Sequence, residues 1–423
     1  MTRWPLLLIA LALVTGAHGY EFPHASPFVA TVLGTPPALR AELPTLRELP
    51  RRELTLTLFP EREVPGVFWY DRELRFSLVA QRGPAPLAFV IAGTGVSANS
   101  GKMPILQRAL YGAGFHVLSL PSPTHANFVT AASSTRLPGH PETDAHDLYR
   151  AMELAYAQVA PGLEVDHFVL VGYSLGGLHA AFVTRVDDER KRFDFRRVLM
   201  INPPVSLFES VARIDGMVEA SGLLEPARYR AFSDDIFRQF ADIYRGSDAV
   251  SYTGEEFLFQ AYREMQPSDA TLAALIGLVF RFSSANMVFV SDVLTTANYI
   301  KPVNLELTPA TSLTAFGQVA MEVSYVDYFN DLYAPYFRQR FPGVTDRELI
   351  DQASLRALAQ TLRHDRRIGL LHNADDIVML PGEVDYLAGL LGARAVIYPR
   401  GGHCGNLDHR DNVAAMVAWL RGE

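Results

Sequence analysis

The chain has 423 residues, a formal net charge of −8 at pH 7 and an apolar content of 49%. This length and composition suit one large globular domain or two smaller ones, and they exclude an intrinsically disordered chain. The acidic balance, without any long basic run, argues against nucleic acid as a partner, because phosphate binding needs a clustered positive surface. The single cysteine, Cys404, excludes an internal disulfide.

The first nineteen residues have the pattern of a secretory signal peptide. Arg3 provides the positive start, residues 6–14 are apolar, and Ala17-His18-Gly19 is a small-x-small cleavage sequence. The apolar run is much shorter than the ~20 residues that a spanning helix needs, although an uncleaved membrane anchor stays an alternative. We therefore expect cleavage before Tyr20, no stable membrane span afterwards, and a periplasmic or secreted protein, since export without disulfides suits a bacterial enzyme.

Residues 20–53 are rich in proline and lack clear periodicity, which predicts an extended arm on the surface. Strand-like runs follow at 54–59 and 74–80. The chain then alternates, with predicted strands at 87–92, 115–120, 167–171 and 197–202 and predicted helices at 104–112, 141–160 and 175–186. Alternation of this kind produces right-handed crossovers and a mostly parallel sheet.

The alternation stops at Asn202-Pro203-Pro204, and residues 207–363 show only helical patterns. This segment is rich in aromatic residues, and its most apolar run, 272–280, is too short to span a bilayer. Strand patterns return at 368–372 and 395–398, followed by a last helix over 412–420. One α/β core, formed by 54–206 and 364–423 and interrupted by a helical insertion, explains this order better than two consecutive domains.

The strongest chemical signal is Gly172-Tyr173-Ser174-Leu175-Gly176, which lies between a buried strand and a helix. A Gly-x-Ser-x-Gly sequence in this context predicts a nucleophile elbow, a sharp and strained turn that exposes the serine hydroxyl. The pentapeptide alone would occur by chance in roughly one chain in ten of this length, and a glycine-rich turn whose serine caps the helix is the simpler explanation. A nucleophilic Ser174 therefore needs a base and an orienting acid elsewhere in the chain.

Two loops after predicted strands offer these partners, because the carboxyl ends of parallel strands share one edge of the sheet. His403 follows the last predicted strand through a pair of glycines, and this position favours proton transfer over a surface hydrogen bond. Asp375 and Asp376 follow the preceding strand. Only one carboxylate can face the imidazole. We favour Asp375 as the acid and keep Asp376 as the alternate. The aspartate that is not the acid would be solvated or would cap the next helix.

These motifs together resemble the α/β-hydrolase superfamily, in which an elbow serine, an acid and a histidine follow one another along the chain. The resemblance covers residues 85–205 and 365–420, and its motifs are Gly172-Tyr173-Ser174-Leu175-Gly176, Asp375 with Ile377-Val378, and Gly401-Gly402-His403. It implies an α/β-hydrolase-type, mostly parallel sheet with helices on both faces. It also implies that the helical segment at 207–363 is an inserted all-helical cap.

The resemblance further implies an oxyanion hole, for which a tetrahedral intermediate needs two preorganised N–H donors. Leu175, the residue after the serine, would supply one donor. The second would come from the loop after the strand at 87–92, where we assign it to Thr94. Ala92 stands where the family commonly has histidine, and the loop lacks the Gly-Gly-Gly of one esterase subgroup, which argues against that subgroup.

The sequence therefore predicts an exported serine hydrolase that cleaves a carboxylic ester, with Ser174 as nucleophile, His403 as base and Asp375 as acid. The expected partner is a small-molecule or lipid-like ester substrate. The mechanism needs no metal and no cofactor, and pairs such as His364-Asp365 lack a metal-binding spacing. A peptidase or amidase with the same triad, and a non-catalytic binding protein on the same fold, are the alternatives.

Overall fold

The computed structural model describes residues 20–223, 225, 227–228, 231–232 and 254–423. The predicted signal peptide at 1–19 lies outside the described residues. The strands are β1 (Arg51–Leu56), β2 (Leu74–Val79), β3 (Ala85–Ile91), β4 (His116–Leu120), β5 (Val165–Tyr173), β6 (Arg197–Ile201), β7 (Ile368–Asn373) and β8 (Ala395–Tyr398). They form one eight-stranded sheet in the order β1-β2-β4-β3-β5-β6-β7-β8.

The sheet is mostly parallel, as the sequence predicts. Strand β2 pairs antiparallel with β1 and β4, and every other pair within the described sheet is parallel. Parallel neighbours need long crossover connections, which cover the sheet with helices and bury its strands on both faces. The carboxyl ends of β5, β6, β7 and β8 consequently lie along one edge of the sheet.

As far as β6, helices alternate with strands along the described chain, as the sequence predicts. The α-helices are α1 (Pro27–Leu33), α2 (Met103–Gly112), α3 (Ala126–Ala131), α4 (Pro141–Val159), α5 (Leu175–Arg190), α6 (Leu207–Ser221), α7 (Gly254–Met265), α8 (Asp269–Thr295), α9 (Thr314–Glu322), α10 (Tyr325–Asp327), α11 (Ala334–Arg340), α12 (Asp346–Gln352), α13 (Ala359–His364), α14 (Glu383–Leu391) and α15 (Arg410–Arg421). A π-helical turn, Tyr328–Tyr333, joins α10 to α11, and short 3₁₀ turns occur at Pro37–Leu39, Gly66–Asp71, Ala160–Gly162, Leu355–Leu358 and Gly392–Arg394. One apolar cluster joins α2 and α15 to the sheet, and another joins α4, α5 and α14 to it.

The chain between β6 and β7 forms the predicted helical insertion. In the described part of this span the regular elements are helices, and a single antiparallel bridge connects Ser206 to Ser354. The aromatic residues of the insertion largely form its own apolar cluster, which packs α8 against α9 and against the helical run 325–340. The domain boundaries at 206 and 363 stay predictions.

Helix α8 is longer than the apolar run at 272–280 indicates. It has 27 residues, and its most apolar 18-residue window has a mean hydropathy of 1.7, so that within the described chain it is the helix whose length and composition would suffice to cross a membrane. However, 61% of its most apolar window is buried inside the protein. At its centre Arg281 forms a 2.8 Å ion pair with Asp215 of α6, and both side chains are almost fully buried. These contacts are those of a core helix in the insertion.

The N-terminal arm is not extended throughout, which corrects the prediction from its proline content. Helix α1 begins at Pro27, where a proline is well tolerated because the first N–H of a helix has no intrahelical acceptor. The Ser26 hydroxyl caps this helix by accepting a hydrogen bond from the Val29 N–H at 3.3 Å. The helix buries Val29, Ala30 and Leu33, so a local capping signal and an apolar face outweigh the composition.

The turn from β5 into α5 requires glycine at two positions. A Cβ atom on Gly172 would lie 1.9 Å from the carbonyl oxygen of Gly176, and one on Gly176 would lie 2.3 Å from that of Ile91. Both obstacles are backbone atoms of packed elements, which cannot move aside as a side chain could. The spacing of the two glycines is therefore set by how closely β3, β5 and α5 approach one another.

Replacing Gly172 by alanine should lower the free energy of unfolding by about 3 kcal/mol or more, because the new methyl group overlaps backbone. Urea unfolding followed by circular dichroism measures this loss. The matched control is Gly389→Ala, since Gly389 lies in α14 and an added methyl group there would meet no atom within 4 Å. That variant should gain up to ~1 kcal/mol from better helix propensity, and similar losses in both variants would contradict the steric argument.

Asp147 of α4 is a buried carboxylate that holds the preceding loop. Its Oδ2 accepts hydrogen bonds from the Ser134 N–H at 2.7 Å and from the Ser134 hydroxyl at 3.0 Å. Burial raises the pKa of Asp147 to about 7, although the bonds from Ser134 lower it. Because an unfolded aspartate titrates near pH ~4, the folded state binds the proton more tightly. The stability from this group is therefore fully present below that pH and is lost as the pH rises through about 7.

The variant Asp147→Asn should lose much of this pH dependence, since an amide does not ionise and its oxygen still accepts from the Ser134 N–H. Thermal unfolding between about pH 5 and pH 8 at constant ionic strength should show the wild-type Tm falling with pH more steeply than that of the variant. Asp166→Asn, at an exposed position of β5, is the control and should keep the wild-type slope. Parallel Tm curves for wild type and Asp147→Asn would count against the assignment.

Candidate active site

Ser174 lies at the tip of the turn between β5 and α5. Its φ of 53° and ψ of −128° are uncommon for a residue with a side chain, and such a backbone is retained only where its surroundings impose it. The Ser174 N–H donates to the Ile201 carbonyl at 2.8 Å, and the Ser174 carbonyl accepts from the Gly177 N–H at 2.8 Å. Strand β6 and helix α5 thus hold the turn in the conformation that the elbow motif predicts.

His403 connects Ser174 to an acid. Its Nε2 lies 2.9 Å from the Ser174 Oγ, and its Nδ1 lies 3.0 Å from each carboxylate oxygen of Asp376. An ionised carboxylate can only accept, so the imidazole proton is on Nδ1 and Nε2 is left to accept from the serine hydroxyl. The structure therefore brings together Ser174 and His403, which are 229 residues apart in the chain.

The acid beside His403 is Asp376 and not Asp375, so the preference for Asp375 is corrected here in favour of the alternate. Strand β7 continues to Asn373, and a tight turn closed by a 3.3 Å bond from the Asp376 N–H to the Asn373 carbonyl follows it. This turn places Asp376 against the imidazole. Asp375 instead accepts a 2.9 Å hydrogen bond from the Gly402 N–H through Oδ1, and its Oδ2 has no partner among the described residues.

The Asp376 carboxylate is buried, and each of its oxygens has a second donor. The Asn202 side-chain amide donates to Oδ2 at 2.8 Å, and the Val378 N–H donates to Oδ1 at 3.1 Å. Burial alone would raise the pKa of Asp376, but the charge interaction and hydrogen bond with His403 hold it below its usual value. The ionised carboxylate can therefore orient the imidazole and stabilise its protonated form.

Asn202 is a site residue that the sequence reasoning did not identify. It follows β6 with a φ of 46°, in the left-handed region that asparagine tolerates better than most residues. Its N–H donates to the Leu371 carbonyl of β7 at 2.9 Å, which fixes the start of the loop. The sequence feature that could have identified Asn202 is its position: a polar amide directly after an apolar strand, where Pro203-Pro204 ends the alternation of strands and helices.

Burial disfavours the charged forms of two other titratable side chains near the site, His372 and Cys404. His372 is fully buried, and its Nδ1 accepts from the Asn373 N–H at 2.9 Å, so the proton is on Nε2 beside the Pro203 carbonyl. Burial lowers the pKa of His372 and raises the pKa of the Cys404 thiol, which disfavours the charged form of each. Within the described chain no group of His, Cys, Asp or Glu side chains is arranged to hold a metal ion.

The two residues assigned to the oxyanion hole both lie close to the serine in the fold. A Cβ on Gly93 would lie 3.2 Å from the Ser174 Cβ, so the loop that carries Thr94 passes directly beside the nucleophile candidate. Leu175 is the first residue of α5, and its N–H has no intrahelical acceptor. Thr94 and Leu175 line the same pocket, and their role as donors stays a prediction.

A narrow apolar pocket of about 60 Å³ adjoins the elbow. Residues of the α/β core form one side of it, namely Thr94, Thr124, Pro138, Gly139 and Leu175. The insertion forms the remainder with Leu207, Phe208, Val211, Met287, Tyr325, Tyr328, Phe329, Tyr333, Ile350 and Ala353. The π-helical turn contributes three of these aromatic side chains, in keeping with the frequent occurrence of such turns at functional sites. The pocket suits an apolar group of a bound molecule.

A family model described as "Alpha/beta hydrolase family" matches residues 95–416, which is well over half of the chain. No curated protein sequence matches at a significant level. Similar solved structures include a hyperthermophilic esterase from the archaeon Pyrobaculum calidifontis, with 16% identity, a TM-score of 0.39, and coverage of 88% of this chain and 85% of that one. Fungal esterases from Rhizomucor miehei show 13% identity, a TM-score of 0.42, and coverage of 90% and 85%.

An acylaminoacyl peptidase from Pyrococcus horikoshii has 10% identity and a TM-score of 0.42, over 89% of this chain and 42% of that one. The range matched by the family model includes strands β4 to β8 and the chain between β6 and β7. The chain therefore belongs to the alpha/beta hydrolase family.

Proposed function

We propose that this protein is a serine hydrolase that cleaves a carboxylic ester through an acyl-enzyme intermediate. The observation that carries the proposal is the continuous chain of contacts from the Ser174 Oγ through the imidazole of His403 to the Asp376 carboxylate. A serine hydroxyl is a weak nucleophile near neutral pH and needs such a base. The strained turn supports the same conclusion, because a serine that only capped a helix would not need a positive φ.

The residues of this chain perform both halves of the proposed reaction. The Ser174 Oγ attacks the ester carbonyl carbon while His403 Nε2 takes the hydroxyl proton, and Asp376 stabilises the resulting imidazolium. The N–H groups of Leu175 and Thr94 bind the oxyanion. Collapse of the tetrahedral intermediate breaks the ester C–O bond, and His403 returns the proton to the departing alcohol. A water molecule, activated by the same imidazole, then hydrolyses the acyl-serine ester and releases the acid.

The substrate that the site fits best is a small-molecule or lipid-like ester with an apolar group. The pocket beside Leu175 is lined by aliphatic and aromatic side chains, and none of its described lining residues carries a charge. Burial of an apolar group there would contribute binding energy of about 25 cal/mol per Å². The insertion would also exclude water from the acyl-enzyme. A peptidase with the same three residues is the second candidate within this mechanism.

We further propose that the protein works outside the cytoplasm. The proposal depends on the charged start, apolar run and small-x-small sequence of residues 1–19. Fractionation of cells that produce the full chain, with amino-terminal sequencing of the product, tests both the location and cleavage before Tyr20.

Turnover of p-nitrophenyl esters should depend on Ser174, whereas peptide anilides should be cleaved slowly or not at all. The variant Ser174→Ala should lose at least ~10⁴ in kcat/KM, since no nucleophile remains, and should no longer react with a fluorophosphonate probe. Equal rates for wild type and variant on every substrate would disprove the serine mechanism. Cleavage of anilides without ester turnover would favour the peptidase.

The two neighbouring aspartates provide a matched test of the acid. Asp376→Asn should lower kcat on the order of 10⁴-fold, because an amide can no longer hold the imidazole in the productive tautomer. Asp375→Asn should stay within about tenfold of wild type, since an amide oxygen still accepts from the Gly402 N–H. A larger loss in Asp375→Asn than in Asp376→Asn would contradict the assignment.

A further inference from the structure

Helix α1 of the N-terminal arm packs directly against the loop at 400–406, which carries His403. A Cβ atom on Gly402 would lie 2.3 Å from the Pro27 carbonyl oxygen, and one on Gly405 would lie 2.0 Å from that of Ala30. The backbone of α1 therefore approaches the loop so closely that only glycine fits at two loop positions. The arm is part of the wall that shapes this loop.

The Thr31 hydroxyl makes the hydrogen bond that joins α1 to His403. Its Oγ1 accepts from the His403 backbone N–H at 2.9 Å and donates to the Pro27 carbonyl at 2.7 Å. The second bond is a bond within α1, so the hydroxyl is held in a fixed direction while it accepts from the loop. Thr31 is therefore bonded to the backbone of His403, whereas the imidazole bonds to Ser174 and Asp376.

The loop needs such support because its own backbone is unusual. Gly402 has a φ of 56°, and Cys404 has a φ of 58°, which is a strained conformation for a residue with a side chain. Strained backbone persists only where surrounding contacts determine it. Three further bonds join the arm to the loop. The Tyr20 hydroxyl donates to the Arg400 carbonyl at 2.9 Å and accepts from the Asn406 side-chain amide at 3.0 Å, and the Thr35 hydroxyl donates to the Gly405 carbonyl at 3.3 Å.

The opposite side of the arm contacts the insertion. The Ser26 hydroxyl donates to Asp269, the first residue of α8, at 2.6 Å. Val29 and Leu33 of α1 share an apolar cluster with Leu272 of α8. The arm thus lies between the histidine loop and the base of the long helix that lines the pocket, and it fixes the loop relative to both parts of the protein.

We infer that Thr31 is a positioning residue for His403, which it keeps at hydrogen-bond distance from Ser174 through the backbone of the loop. The inference rests on the proposed function, because it assigns Thr31 a part in the same proton transfer. A displacement of about 1 Å in a reacting group can cost ~10² in rate. Since Thr31 is not among the residues that line the apolar pocket, its loss should affect the chemical step more than substrate binding.

The test compares Thr31→Val, Thr31→Ser and Thr295→Val in the full chain. Valine keeps the shape of threonine but removes the hydroxyl, and serine restores it. Thr295 of α8 is the control because its hydroxyl also donates to a carbonyl within its own helix, that of Ser291 at 2.6 Å, at similar burial. We expect Thr31→Val to lower kcat on the order of 10- to 100-fold with KM within about twofold, Thr31→Ser to recover most of it, and Thr295→Val to match wild type.

Amide hydrogen exchange provides a readout that does not depend on turnover. Peptides that cover 400–406 should exchange faster in Thr31→Val than in wild type, Thr31→Ser or Thr295→Val. Unchanged exchange in Thr31→Val together with wild-type kcat would overturn the inference and leave the proposed function intact. A uniform increase in exchange over the whole protein would also overturn it, because Thr31 would then serve general stability. If no turnover depends on Ser174, the proposed function fails. The exchange measurement still decides whether Thr31 holds the loop, because faster exchange limited to peptides that cover 400–406 does not depend on turnover.

Discussion

The parallel pairing of β5, β6, β7 and β8 determines where the functional groups of the candidate site lie. The register pairs Tyr173 with Ile201, and Asn373 with Tyr398, so adjacent strands end almost level with one another. Because neighbouring strands are ~4.8 Å apart, residues that follow them along the sheet edge come within hydrogen-bond reach through short loops. Ser174, Asn202, Asp376 and His403 follow these four strands in that order.

Burial of the Asp376 charge explains why the site includes more than a serine, a histidine and an acid. Moving a carboxylate out of water costs several kcal/mol unless its oxygens are hydrogen-bonded. Three donors supply this compensation, from His403, Asn202 and the Val378 N–H. Each hydrogen bond to a charged group contributes about 1.5–3 kcal/mol. The amide of Asn202 is therefore part of the electrostatic support of the imidazole, although it does not contact the serine.

Local patterns predict the elements and the elbow, because glycine spacing and apolar periodicity act over a few residues. The sheet, the insertion and the positions of Ser174 and His403 after their strands follow from such patterns. The choice between Asp375 and Asp376 depends instead on one residue at the end of β7, and strand ends are set by tertiary pairing with β8. Composition likewise does not predict α1, which depends on the local cap at Ser26 and on an apolar face that packs against α7 and α8.

The proposed function divides the chemistry and the binding of substrate between different parts of the chain. The sheet edge and the arm contact the groups that we propose transfer protons, whereas the insertion lines most of the apolar pocket. The Ser26 bond to Asp269 and the Thr31 bond to His403 lie in consecutive turns of one short helix. Helix α1 therefore connects the base of α8 to the loop of His403 through direct hydrogen bonds. In the proposed mechanism, substitutions at the pocket residues of the insertion should therefore leave the distances between Ser174, His403 and Asp376 nearly unchanged, provided that the contact between the insertion and the arm is kept.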